Sequence, residues 1–231
     1  MWSRVPIVLG VLTVLVGALV VFSGSRLVSR SPAPVLDAPG GRVVDEPAAP
    51  PGAYDSLVIP EFELVDQDGT PRTREIFAGR WTVLVFTFTH CPLACPTMNS
   101  NLLQLAEKIK DTPARLVSIS VDPRNDTPAA LRAHAERIGA DTSRWTFLTG
   151  EPAQIERIVS GLRLALIDDP ANIITLADGS KMNNILHPTQ FLIVSPEVKV
   201  TALHTGLDRG GVEAAERTLR AGMRQAGGTG R

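Results

Sequence analysis

Two cysteines sit four residues apart in Thr87-Phe88-Thr89-His90-Cys91-Pro92-Leu93-Ala94-Cys95-Pro96, and the chain has no others. An apolar, strand-like run precedes them and a helix-like run follows. That places both sulfurs at a helix N-terminus, where backbone N–H groups and the helix dipole favour thiolate over thiol. Thiolate is the form that binds soft metals or exchanges disulfides. Residues at i and i+4 share a helix face. Three intervening residues leave room for a metal between the sulfurs and still permit a disulfide if the Cα atoms approach within about 7 Å. The spacing alone leaves metal and redox chemistry both open. Thiolates select Cu(I), zinc or iron–sulfur, and two of them need at least a third ligand.

Four histidines could supply it. His134 falls in an expected surface helix and reads as solvated or half-buried. His204 lies just past an expected hairpin strand and reads as structural. His90, next to Cys91, is expected to point away from the sulfurs. His187 is different, because it precedes Pro188-Thr189-Gln190-Phe191-Leu192-Ile193-Val194, a Pro-Thr followed by a buried strand. In thioredoxin-like folds a proline just before that strand packs beside the active-site cysteines. His187 is therefore expected over Cys91 and Cys95. Two thiolates and one imidazole make a site suited to Cu(I), or to Cu(II) with an added weak ligand. Met182 is a further soft donor within reach of such a site, though a plain loop role suits it better. Asp122 and Asp126 read as turn and helix-start carboxylates rather than as catalytic bases.

The elements that must position these residues follow from periodicity. Phe62 to Thr70 is a short strand leading into an Asp-Gly turn. Trp81 to Thr89 is nearly all β-branched or aromatic, which marks a strand buried on both faces. Pro96 to Lys110 has Met98, Leu102, Leu105 and Ile109 at helical spacing. Arg115 to Val121 is a second buried strand. Thr127-Pro128 is an N-cap with proline at the first helical position, opening a helix to Ile138. Glu151 to Gly161 is another helix. Asp178-Gly179 suggests a hairpin turn. Phe191 to Val194 is a strand with Lys199 to Ala202 as its hairpin partner, and Gly211 to Gln225 closes the chain as a helix. This order predicts an α/β plan with a central mixed sheet. The cysteines fall at the C-terminal edge of its first central strand, where open α/β sheets build their sites.

The N-terminal quarter has another character. Val5 to Phe22 is 18 residues without a charge, spanning roughly 27 Å as a helix, close to a bilayer core. The run is long for a cleaved signal, and Phe22-Ser23-Gly24-Ser25 is a poor cleavage site, so one uncleaved transmembrane helix is expected. Residues 31–53 hold six prolines and three glycines, an extended spacer. The expected organisation is an anchor with its flanks over 1–30, a Pro-rich linker over 31–55 and a folded domain over 56–231. A net charge of −1 and the lack of a basic stripe give no case for nucleic acid.

The motif around Cys91 and Cys95 resembles that of the Sco/SenC proteins, thioredoxin-fold copper-binding factors of cytochrome c oxidase assembly. The resemblance continues through Val121-Asp122-Pro123-Arg124-Asn125-Asp126-Thr127-Pro128 and Trp145-Thr146-Phe147-Leu148-Thr149-Gly150, and ends with His187 before Phe191-Leu192-Ile193-Val194. It covers roughly residues 58–225. It implies a thioredoxin-like fold, copper as Cu(I) or Cu(II), and Cys91, Cys95 and His187 as its ligands. The implied partners are the copper-site subunit of cytochrome c oxidase, a thiol-disulfide reductant and the membrane. The implied location is the cell membrane, single-pass, with the C-terminal domain on the outer face, where disulfides persist. Two positions depart from the pattern: Leu93 stands where the family usually has Asp, and Pro188 follows the histidine. A cis Pro188 would resemble thiol-disulfide oxidoreductases. The other reading is accordingly an oxidoreductase that reduces the cysteines of a copper site, with Cys91 attacking and Cys95 resolving. A peroxiredoxin is disfavoured, since the threonine those enzymes carry three residues before the reactive cysteine is here Phe88.

Overall fold

A computed structural model of the chain describes residues 53–54, 56–92 and 94–228. The expected anchor over 1–30, most of the expected linker and Leu93 lie outside the described residues. Among the described residues no helix is long and apolar enough to cross a membrane.

The element order is β1 (Glu63–Asp66), β2 (Pro71–Thr73), a short 3-10 helix (Arg74–Phe77), β3 (Thr82–Thr87), α1 (Ala94–Lys108), β4 (Arg115–Ser120), α2 (Pro128–Ile138), β5 (Trp145–Thr149) and α3 (Pro152–Gly161). It continues with β6 (Ile167–Thr175), β7 (Lys181–Leu186), β8 (Gln190–Val194), β9 (Val200–Thr205) and α4 (Arg209–Gly228). Seven strands form one sheet in the order β2-β1-β5-β4-β3-β8-β9, while β6 and β7 pair with each other. Strands β3, β4 and β5 are parallel neighbours; β8 runs antiparallel to β3, and β9 to β8. A β3-α1-β4 unit followed by a β8-β9-α4 unit is the thioredoxin-like plan, and the expected mixed α/β sheet is present.

Strand β3 shows why the sheet needs two covers. Every residue from Thr82 to Thr87 is buried. Leu84 and Phe86 point into a core completed by Phe77 and by Ile155, Ile158 and Val159 of α3. Val83 and Val85 point the other way, onto Met98, Leu102 and Leu105 of α1, Leu131 of α2 and Leu219 of α4. Strand side chains alternate with period two, so an unbroken apolar run feeds both faces. Each buried aliphatic or aromatic side chain contributes about 1.5–3 kcal/mol to that packing.

Helix α2 begins as its sequence demands. The Thr127 hydroxyl accepts from the Ala130 N–H, Pro128 fills the first turn, and Gly139 ends the helix at φ +75°. Helix α1 starts at Ala94, two residues earlier than the periodicity predicts, so Cys95 lies within its first turn. The turn at Asp178-Gly179 joins β6 to β7, with Leu176 N–H donating to the Ser180 carbonyl. Two strands escaped the sequence reading. β2 is three exposed residues, and β5 interrupts its apolar pattern with threonines. Pro188 is trans, as is every described peptide bond.

Candidate metal centre

The register of the sheet brings distant residues together. In the antiparallel β3–β8 pair, Thr82 lies opposite Val194 and Leu84 opposite Leu192. Continued along both chains, that register sets Pro188 opposite Phe88 and His187 opposite Thr89, two residues short of Cys91. Beyond β3 the chain turns, with the Cys91 N–H donating to the Phe88 carbonyl at 3.4 Å, and enters α1.

There His187 Nε2 lies 3.4 Å from Cys95 Sγ and 3.9 Å from Cys91 Sγ. One donor atom from each of the three residues falls within 4.8 Å of the others, compact enough for a single ion. The histidine is fixed in tautomer as well as in place. Its Nδ1 is 3.0 Å from the Pro188 carbonyl oxygen, which can only accept, so Nδ1 carries the hydrogen and Nε2 offers its lone pair to the sulfurs. The Phe88 ring meets the imidazole edge-on, with centroids 5.6 Å apart.

The sulfurs are not equivalent. Cys91 is half-buried and sits in the loop before α1; Cys95 is buried in the first turn, and both are thiols. The expectation that the pair shares one helix face is corrected accordingly. Instead, Cys91 Sγ accepts the Cys95 N–H at 3.4 Å and so caps the helix start. Cys95 Sγ also accepts the Thr87 hydroxyl at 3.2 Å. The neighbouring Cys91 sulfur and then burial push the Cys95 thiol upward, against the weaker pull of Thr87. Helix-start position therefore does not suffice to make Cys95 a thiolate; a soft ion that displaces the proton would.

Next to this centre stands a second cluster, His90, Asp122 and Asp126. Asp126 is wholly buried. It accepts from the Ser120 hydroxyl at 2.6 Å, the Thr89 hydroxyl at 2.5 Å and the Thr89 N–H at 3.1 Å. His90 Nδ1 lies 3.0 Å from the Thr89 hydroxyl and 3.8 Å from Asp126, turned from the sulfurs as expected. Burial raises the carboxyls of both Asp122 and Asp126. Asp126 pins the loop that carries Cys91, which gives it the structural role expected of it and a deeper burial than its sequence suggests. Met182 sits in β7 with its sulfur 3.5 Å from Asn125 Nδ2.

The other histidines divide. His204 Nε2 is 2.9 Å from the Thr218 hydroxyl, a structural contact between β9 and α4. His134 corrects the surface reading. It is only 4 % exposed, and burial, with the Arg137 cation second, lowers its pKa to about 4. The i+3 spacing of Arg137 was the available signal: Arg137 Nη2 donates to His134 Nδ1 at 2.8 Å.

Comparison with known proteins agrees with this architecture. The sequence pattern of the SCO1/SenC family matches residues 51–220. The SCO1 protein homolog of Bacillus subtilis is 28% identical over 176 residues, 75% of this chain and 83% of that protein. The mouse mitochondrial protein SCO2 homolog is 34% identical over 99 residues, 41% of this chain but only 38% of that protein. Among solved structures, a SCO1/SenC family lipoprotein from Bacillus anthracis superposes with a TM-score of 0.61 at 26% identity. It covers 73% of this chain and 96% of its own. Bradyrhizobium japonicum ScoI, solved with copper bound, superposes with a TM-score of 0.54 at 26% identity over 71% of this chain and 99% of its own. A family pattern spanning most of the chain, together with this shared fold, shows that the chain belongs to the SCO1/SenC family.

Proposed function

We propose that the protein is a copper carrier that holds the ion through Cys91, Cys95 and His187 and passes it to the copper-site subunit of a cytochrome c oxidase. The observation that carries this reading is the aim of His187 Nε2 at both sulfurs, 3.4 and 3.9 Å away, with its tautomer set by the Pro188 carbonyl. Two soft sulfurs and a neutral imidazole suit Cu(I), and Cu(II) with one weak added ligand. The copper-bound relative from Bradyrhizobium japonicum supports the choice of metal. The protein's own groups supply placement and release. Thr87 and the Cys95 amide orient the sulfurs, and Cys91, the more exposed ligand, is the first that an acceptor's soft donor would replace. An oxidised Cys91–Cys95 pair would not take Cu(I), so a thiol reductant belongs to the cycle. The apolar run at 5–22 would tether the domain to a membrane, on the outer face.

The test is a titration of the reduced full chain, in detergent, with Cu(I) against a competing chelator, beside His187→Ala. Tight one-to-one binding that the variant weakens by about a hundredfold supports the carrier. Weak binding indifferent to His187, together with rapid exchange of a Cys91–Cys95 disulfide, would instead make the protein an oxidoreductase.

A further inference from the structure

A cavity of about 380 Å³ opens between α1 and α2, walled by Cys91 and Cys95 at one place and by Asn99, His134 and Arg137 at another. It is of a size that holds small ligands. His187 is not on its wall, so the cavity reaches the sulfurs from a side the imidazole leaves open.

The polar end of this cavity is built rather than incidental. His134 is buried and neutral near pH 7. A guanidinium can only donate, so the 2.8 Å contact with Arg137 makes His134 Nδ1 an acceptor and puts the ring hydrogen on Nε2. Nε2 lies 3.3 Å from Asn99 Nδ2. The contacts Arg137–His134–Asn99 tie α2 to α1, and the one to His134 holds a nitrogen of the otherwise exposed Arg137 guanidinium at the cavity. Among the described residues no carboxylate pairs with Arg137, and none lines the cavity. One positioned cation with no counter-charge, at a cavity that also opens on two thiols, matches a small molecule carrying both a carboxylate and a thiol.

We propose that this cavity binds a small carboxylate-bearing thiol, its carboxylate on Arg137 and its sulfur at Cys91 and Cys95, and that copper is loaded from the Cu(I) complex of that thiol. The proposal rests on the copper reading above. The transfer moves no electrons. Each Cu–S bond to the incoming thiol breaks as one to Cys91 or Cys95 forms, and the proton of each cysteine leaves with the departing thiolate. His187 then closes the coordination from the opposite side.

The experiment uses the reduced full chain in detergent and stopped-flow loading from two donors, the Cu(I)–glutathione complex and the Cu(I)–acetonitrile complex. Arg137→Gln should slow loading from glutathione by about three- to tenfold, and leave acetonitrile loading and the final affinity as they were. Arg137→Lys should recover part of the rate. S-methylglutathione, which keeps the carboxylates and cannot bind copper as a thiolate, should compete in the native protein and not in Arg137→Gln. Equal slowing for both donors, or no slowing for either, overturns the proposal while leaving tight copper binding intact. Absence of tight Cu(I) binding in the native protein would instead remove the reading on which it rests.

Discussion

The Thr87 hydroxyl donates a 3.2 Å hydrogen bond to the Cys95 sulfur, and both side chains are buried. Thr87 ends β3 and Cys95 opens α1, so the bond spans the strand-to-helix turn that forms the centre. Hydrogen bonds to a ligating sulfur withdraw charge from it and tune the metal's potential. Thr87→Val keeps the shape and deletes the donor. We expect Cu(I) affinity to fall about tenfold and the thiolate-to-copper absorption of the Cu(II) form to move to longer wavelength, with Thr87→Ser restoring both. An unchanged spectrum in the valine variant would confine Thr87 to packing.

Gly206 guards the position of His187 from a distance. Its N–H donates to the Thr189 carbonyl at 2.8 Å, and the Asn101 amide donates to the Gly206 carbonyl at 2.8 Å. A methyl group added there would stand 2.5 Å from the Thr189 oxygen, closer than backbone tolerates. Gly206→Ala should cost about 1–3 kcal/mol in urea unfolding and also weaken copper binding, because Thr189 lies two residues from His187. Native affinity in a destabilised variant would uncouple the two.

Asp126 satisfies three donors from Ser120 and Thr89 while fully buried. Asp126→Ala takes the acceptor from all three and should cost about 3 kcal/mol, whereas Asp126→Asn keeps an acceptor and should cost about 1 kcal/mol. Denaturant melts of the metal-free protein decide this. Equal costs for the two variants would mean that the carboxylate's hydrogen bonds do not hold the Cys91 loop.

His134 predicts an acid weakness. Folded, it titrates at about 4, against 6.5 for an ordinary histidine. Between those values the unfolded chain holds more protons, so stability tied to His134 is whole above pH 6.5 and shrinks as pH falls to 4. Below that it is flat. The loss amounts to about 3 kcal/mol. Asp122 and Asp126, whose pKa values are raised by burial, act with the opposite sign. The measurement is therefore the gap in unfolding free energy between the native protein and His134→Gln, which should narrow by that amount from about pH 7 to about pH 4. A gap constant with pH would place the histidine's role elsewhere.

The meeting of Cys91, Cys95 and His187 was legible in part because the cysteines lie where the apolar pattern breaks. The fully buried run of β3 announces its own end, and the cysteines stand at that end. His187 was legible by likeness to thioredoxin-like folds, where a proline just before a buried strand packs beside the cysteines; the antiparallel β3–β8 register that delivers it was not. The ionisation of Cys95 was not legible, because it depends on a burial that the helix start alone does not reveal. Neither was the burial of His134. Its helix is rich in alanine and carries Arg132, Glu136 and Arg137 around it, a pattern that reads as exposed until α1 covers it.

Strands β6 and β7 pair only with each other among the described strands, and Ile167, Ile173 and Leu186 stand exposed on them. Leu186 runs directly into His187. An ion shared by His187 and the cysteines would therefore act as a staple across 92 residues of chain, tightening the root of this hairpin as a disulfide tightens a loop.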